Sequence, residues 1–147
     1  MATLIFNTPP HGIDIENPDV RFLELLISYV NEEYWSAGPG QAALTYEDGI
    51  KKRQLILTFY IDQFHIEYRS ESEPAHLALG DGDFNHIFEP RVGGDPWALP
   101  TKFFVSRDIT WIAVKEFYKT GGRSDQITWA TKKDLPEWYN PEARVKE

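Results

Sequence analysis

Few residues of this chain have the type and spacing that chemistry requires. His11, His65, His76 and His86 are scattered, and none belongs to the His-Glu-x-x-His pattern that places two imidazoles on one turn of a helix. The run "DGDFNHIFE" gathers Asp81, Asp83, His86 and Glu89, four donors that a metal could use. It lacks the twelve-residue ligand spacing of a calcium loop, and its pieces suit a turn followed by a strand. No metal and no cofactor is therefore expected. Gly80 and Gly82 form a Gly-x-Gly, but the third glycine and the following helix of a dinucleotide site are missing. Ser36, Ser70, Ser72, Ser106 and Ser124 stand outside any Gly-x-Ser-x-Gly elbow. Glu116 could act as an acid or base only in a pocket that raised its pKa. There is no cysteine, which removes thiolate catalysis, disulfides and Cys-based metal sites. No catalytic residue is assigned, and the chain is not expected to be an enzyme.

Charge says more than motif does. The 147 residues carry a net charge of −8, which disfavours direct binding of nucleic acid. The charge is uneven. Residues 1–50 hold one Arg and eight acids, net −7, and residues 71–100 hold one Arg and six acids, net −5. Residues 51–70 and 101–147 are each net +2. Such a surface serves solubility, and it could also steer a basic partner. The N-terminal stretch has neither the basic start nor the long apolar run of a signal peptide, and no segment has the roughly 20 apolar residues of a membrane span. A cytoplasmic protein without a membrane partner is expected.

The elements that must position these residues follow from periodicity. "TLIFN" is read as a short edge strand. Asn17 is placed to cap a helix with Pro18 at its first position, and Phe22, Leu25, Leu26, Tyr29 and Val30 are expected to form its buried face. "AALTYE" reads as a strand and Asp48-Gly49 as a turn. "QLILTFYIDQFHIEYRS" alternates as a hairpin about Asp62-Gln63, with one face buried and the other, carrying His65, Glu67 and Arg69, in solvent. "AHLAL" and "FNHIFE" read as short strands. "PRVGGDPWALP" holds too many Pro and Gly for a helix or a central strand. Ser106 should cap a second helix with Asp108 in its first turn, Ile109, Ile112, Ala113 and Phe117 on its inner face, and Gly121 closing it. "QITWAT" is a further strand, and Trp138 and Tyr139 should anchor the tail. The sum is a single α+β domain over 1–147, an antiparallel sheet packed against two main helices.

One segment resembles a known family. "VSRDITWIAVKEFYKTGGRSDQITW" is similar to the C-terminal signature of the Imm1 immunity proteins of bacterial polymorphic toxin systems, in which a helix ends in Glu-Phe and a Thr-Gly turn, before a basic residue and a strand Trp. The matching residues are Glu116, Phe117, Thr120, Gly121, Arg123 and Trp129, and Asp95-Pro96 matches an upstream acidic-Pro stretch. The family's Arg-Pro is Arg123-Ser124 here. The specific likeness covers about 95–131. It implies an antidote that binds a cognate toxin domain, a deaminase or nuclease acting on nucleic acid, and occludes its active site. Phe117, Gly121 and Trp129 are then expected to build the scaffold, while Glu116 and Arg123 either pair with each other or Arg123 bonds the helix-end carbonyls. The toxin-facing surface is expected in the acidic, loop-rich stretch 81–97. There Asp81, Asp83, Glu89 and Asp95 would stand in for phosphates and Trp97 would be an aromatic anchor, joined by His65, Glu67 and Arg69. The other readings of the residues are a small hydrolase or transferase, and an adaptor for an unrelated protein. No oligomeric state is assigned.

Overall fold

A computed structural model describes residues 2–9, 12–29, 32–36, 41–49, 51–60, 62–88, 91–92, 95–96, 99–131 and 133. The architecture is α+β. Seven antiparallel strands form one sheet. They are β1 (Thr3–Asn7), β2 (Asp14–Glu16), β3 (Gln41–Glu47), β4 (Lys52–Tyr60), β5 (Gln63–Ser70), β6 (Glu73–Leu79) and β11 (Thr128–Ala130), in the spatial order β11-β6-β5-β4-β3-β1-β2. Helices α1 (Val20–Ser28) and α3 (Arg107–Thr120) contact each other and contribute to the same core cluster on one face of that sheet. A short helix α2 (Glu32–Ser36) carries Trp35, which is fully buried and donates from its indole nitrogen to the Leu26 carbonyl at 3.2 Å.

The central hairpin follows the alternation in the sequence. Leu55, Leu57 and Phe59 of β4 face Tyr68, Ile66 and Phe64 of β5 across the ladder, and all six are buried. The two strands meet at a turn one residue earlier than expected, with Tyr60 paired to Gln63 and Asp62 at φ 64°. "TLIFN" is not the edge. The three-residue β2 pairs outside it, Phe6 opposite Ile15, so β1 is covered on both sides.

Between β6 and α3 the strands among the described residues are two-residue ladders. β7 (Ile87–Phe88) pairs with β10 (Leu99–Pro100), and β8 (Arg91–Val92) pairs with β9 (Asp95–Pro96). Among the described residues of "FNHIFE", 84–88, Ile87 and Phe88 are extended in a strand, while Phe84 and Asn85 lie in a turn. A 3-10 turn at Thr101–Phe103 then leads into Val105, which exchanges both backbone hydrogen bonds with Phe64 (2.9 and 2.8 Å) where β6 no longer reaches. Trp138 and Tyr139 lie outside the described residues.

Both helix starts are capped, one of them at an unexpected residue. Ser106 accepts from the Ile109 amide at 3.2 Å and Asp108 sits in the first turn, so α3 begins as the sequence predicts. The cap of α1 is Asp19, which accepts from the Arg21 amide at 2.8 Å. Asn17 serves another purpose: at φ 49° its side chain accepts from the Leu4 amide, tying the turn to β1.

Candidate interaction surface

The C-terminal unit that carries the Imm1-like residues is built as a closed scaffold. Phe117 is fully buried, with edge-on contacts to Tyr46 and Tyr68 at 6.1 and 6.2 Å. Gly121 ends α3 in the left-handed conformation, φ 71°, and its amide bonds the Phe117 carbonyl at 2.8 Å. A Cβ there would lie 2.5 Å from the Tyr46 ring, so both the backbone and the packing demand glycine. Trp129 of β11 is partly buried against the same core as Phe117, and its indole donates to the Ser124 carbonyl at 2.9 Å.

Neither expectation for Arg123 and Glu116 holds. Arg123 reaches across to β6 and pairs with Glu73 at 3.0 Å, while its guanidinium stands 5.5 Å from the Tyr68 ring centre. Glu116 instead accepts from its own helix, from the Thr120 hydroxyl at 3.1 Å. Arg53 caps the adjacent Tyr46 ring at 4.9 Å and pairs with Asp48 at 2.9 Å. Burial pushes the Tyr68 phenol above its usual range. The Glu73 carboxylate adds to that shift, and the Arg53 and Arg123 guanidiniums oppose it.

The face of β5 expected in solvent is covered. His65 is 2% exposed and Glu67 is 6% exposed. Phe103 and Phe104 lie over the sheet here with Leu77 and Ala130 in a second apolar cluster, and His65 Nδ1 meets the Phe103 carbonyl at 3.2 Å. Glu67 accepts from Arg69 Nε at 2.8 Å, which compensates a carboxylate that burial would otherwise penalise. Of this trio only Arg69 remains at the surface. The signal for the cover was present in "KFFVS". Three consecutive apolar residues, all of them buried, cannot be accommodated by one face of a strand.

Within the acidic loop, Asp81 and Asp83 are exposed, and backbone bonds fix the loop in place. The Gly80 amide donates to the Lys102 carbonyl (2.8 Å), the Asp83 amide to the Thr101 hydroxyl (2.9 Å), and the Thr101 amide to the His86 carbonyl (2.8 Å). The Asp83 carboxylate also accepts from the Asn85 amide at 2.8 Å, closing a local turn. A groove of about 330 Å³ runs beside this loop, lined by Asp81, Gly82 and Thr101 on one side and Ser106 and Ile109 on the other. Asp95 is described only as a backbone position in β9, and Glu89 and Trp97 lie outside the described residues. Among the described residues no group of three His, Asp or Glu could hold a metal ion.

A second surface was missed by the sequence reading because it uses residues assigned to the core. On α1 the buried residues are Leu23 and Ile27, with Leu26 packed beside them. Phe22, Leu25 and Tyr29 are 38, 43 and 76% exposed. At 100° per residue these three form a stripe flanking the buried one. Ile13, just before β2, is 55% exposed. With Val20 at 39%, these make up every exposed large apolar side chain among the described residues, and all fall within 13–29. Asp14, Glu16 and Asp19, between these residues in sequence, are exposed as well, with Asp14 turned to the opposite face of β2 from Ile15, where it accepts from the Asn7 side chain at 2.8 Å.

No helix among the described residues is long and apolar enough to cross a membrane. No family model and no curated protein matches the chain.

Proposed function

We propose that this chain is a cytoplasmic immunity protein, one that binds a cognate bacterial toxin domain and blocks the toxin's active site without catalysing a reaction itself. The toxin would be a deaminase or nuclease acting on nucleic acid. One observation carries this reading. The residues that resemble the Imm1 signature, Phe117, Gly121 and Trp129, are occupied in holding α3 to the sheet, and among the described residues exposed carboxylates outnumber exposed Lys and Arg. A protein of this kind has a shared scaffold and a separate variable face. An enzyme acting on nucleic acid needs a basic cleft for the phosphates, and an acidic inhibitor matches such a cleft in charge, speeding encounter and rejecting wrong partners. Asp81 and Asp83 stand on the fixed loop as two of the charges available for that contact.

The direct test is co-expression with the toxin domain encoded beside the gene, combined with a titration of purified toxin activity. Survival, together with one-to-one inhibition of the toxin by the purified chain, is the expected result. Cell death, with toxin activity unchanged in the presence of excess chain, would refute the proposal.

A further inference from the structure

We propose that the apolar stripe Ile13, Phe22, Leu25 and Tyr29, set in the acidic segment 13–33, is the docking surface for a protein partner that presents an apolar anchor among basic residues. On the reading above, on which this inference rests, that partner is the toxin domain. The first argument is concentration. Among the described residues, a protein that buries Trp35, Phe64, Phe103 and Phe117 completely leaves its exposed large apolar side chains in one seventeen-residue stretch, 13–29. Scattered single exposures need no explanation, but a contiguous group rimmed by charge marks an interaction site. The two ends of the stripe are joined through the core. Phe22 meets the buried Phe6 edge-on at 6.2 Å, Phe6 pairs with Ile15 of β2, and Ile13 follows on the same side of that strand. Leu25 and Tyr29 continue it at three and seven residues along α1.

The second argument selects the occupant. Residues 13–33 hold six carboxylates and one Arg, net −5. Asp19 and Glu33 are exposed, Asp14 and Glu16 are exposed on the face of β2 opposite Ile15, and Glu24 is half-buried on α1, where Arg21 is the exposed cation. Arg107 of α3, which reaches the end of α1 at the Ser28 carbonyl (3.0 Å), is already engaged with Asp62 at 3.3 Å. A second copy of the chain would bring the same acidic segment against itself. The chain's own tail, residues 134–147, holds four acids and two bases, net −2, and is repelled in the same sense. A basic protein surface is the complementary occupant. Docking would use side chains rather than strand addition, because the edge strand β2 is three residues long with a carboxylate at each end.

The test is a kinetic binding assay on the full chain with a catalytically inactivated form of the adjacent toxin domain. Three variants are compared: Leu25→Asp with Tyr29→Asp, Glu16→Lys with Glu24→Lys, and Asp81→Lys with Asp83→Lys. All these positions lie at or near the surface, and circular dichroism verifies that each variant folds. The apolar pair should weaken binding by at least about 30-fold, chiefly through faster dissociation. The first charge pair should slow association by about 10-fold and flatten its dependence on salt. If the wild-type chain binds and the two α1 and β2 variants bind as it does, the docking surface is wrong while the immunity reading stands. If the wild-type chain does not bind the toxin domain, both fall. Self-association of the wild-type chain at micromolar concentration that the apolar pair abolishes would show that a second copy is the occupant, and would also overturn the proposal.

Discussion

The two long helices of this protein are both amphipathic and both lie on the same face of the sheet, yet they treat their apolar residues differently. On α3, Ala113, Val114 and Phe117 are buried, and Ile109, Trp111, Ile112 and Tyr118 pack against the core from its margins. On α1 the apolar arc is wider than the sheet can cover. Leu23 and Ile27 are taken into the core, and Phe22, Leu25 and Tyr29 are left outside. One helix has apolar residues matched to what it covers. The other carries a surplus, and that surplus is the surface proposed above for docking.

The contrast predicts unequal costs of mutation. Phe117→Ala should lose about 3–5 kcal/mol, since it empties a fully buried site between two tyrosine rings; Tyr29→Ala, at a position 76% exposed, should change stability by no more than about 0.5 kcal/mol. Urea unfolding of the two variants decides this, and similar midpoints would break the distinction between the helices. Gly121→Ala comes next. It forces a Cβ into the left-handed region and against the Tyr46 ring, at a cost of about 2–4 kcal/mol by the same measurement. Ser106→Ala removes the cap of α3 and should lower stability by about 1 kcal/mol.

The smallest effect concerns pH. The Tyr68 phenol is raised above its ordinary value of 10.0, and burial is the first cause. Folding therefore favours its neutral form. That stabilisation is complete below about pH 10 and is lost as pH rises through the higher folded value. The urea midpoint should fall between about pH 9 and about pH 11, and Tyr68→Phe should make the fall shallower. An identical alkaline slope in the variant would show that Tyr68 titrates normally.

The legible parts of the sequence were those whose signals are local. Ser106 and Gly121 announce the two ends of α3 by residue type alone, and the alternation through 55–68 has only one register that buries Leu55, Leu57 and Ile66 together. The errors have a common physical origin. Helical periodicity states that α1 has an apolar side, but 22-25-29 and 23-27 are both at helical spacing, and only packing against α3 and β1 chooses between them. Likewise, alternation correctly places His65 and Glu67 on the face opposite Ile66. Whether that face is wet depends on Phe103 and Phe104, with the partner of His65 thirty-eight residues away. Cover from distant sequence is invisible to any local pattern. The candidate contact surface was partly legible in the same way. The acidic charge of 1–50 and 71–100 is plain in the composition, while the apolar stripe emerges only when the core has been assigned.

The measurement that tests the account most directly is amide chemical-shift mapping of the full chain as the inactivated toxin domain is added. The account predicts saturable changes concentrated at residues 13–29, accompanied by loss of toxin activity at one equivalent, and little change at Phe117, Gly121 and Trp129. Changes centred on the 116–129 unit, or no changes at all with the toxin in excess, would contradict it.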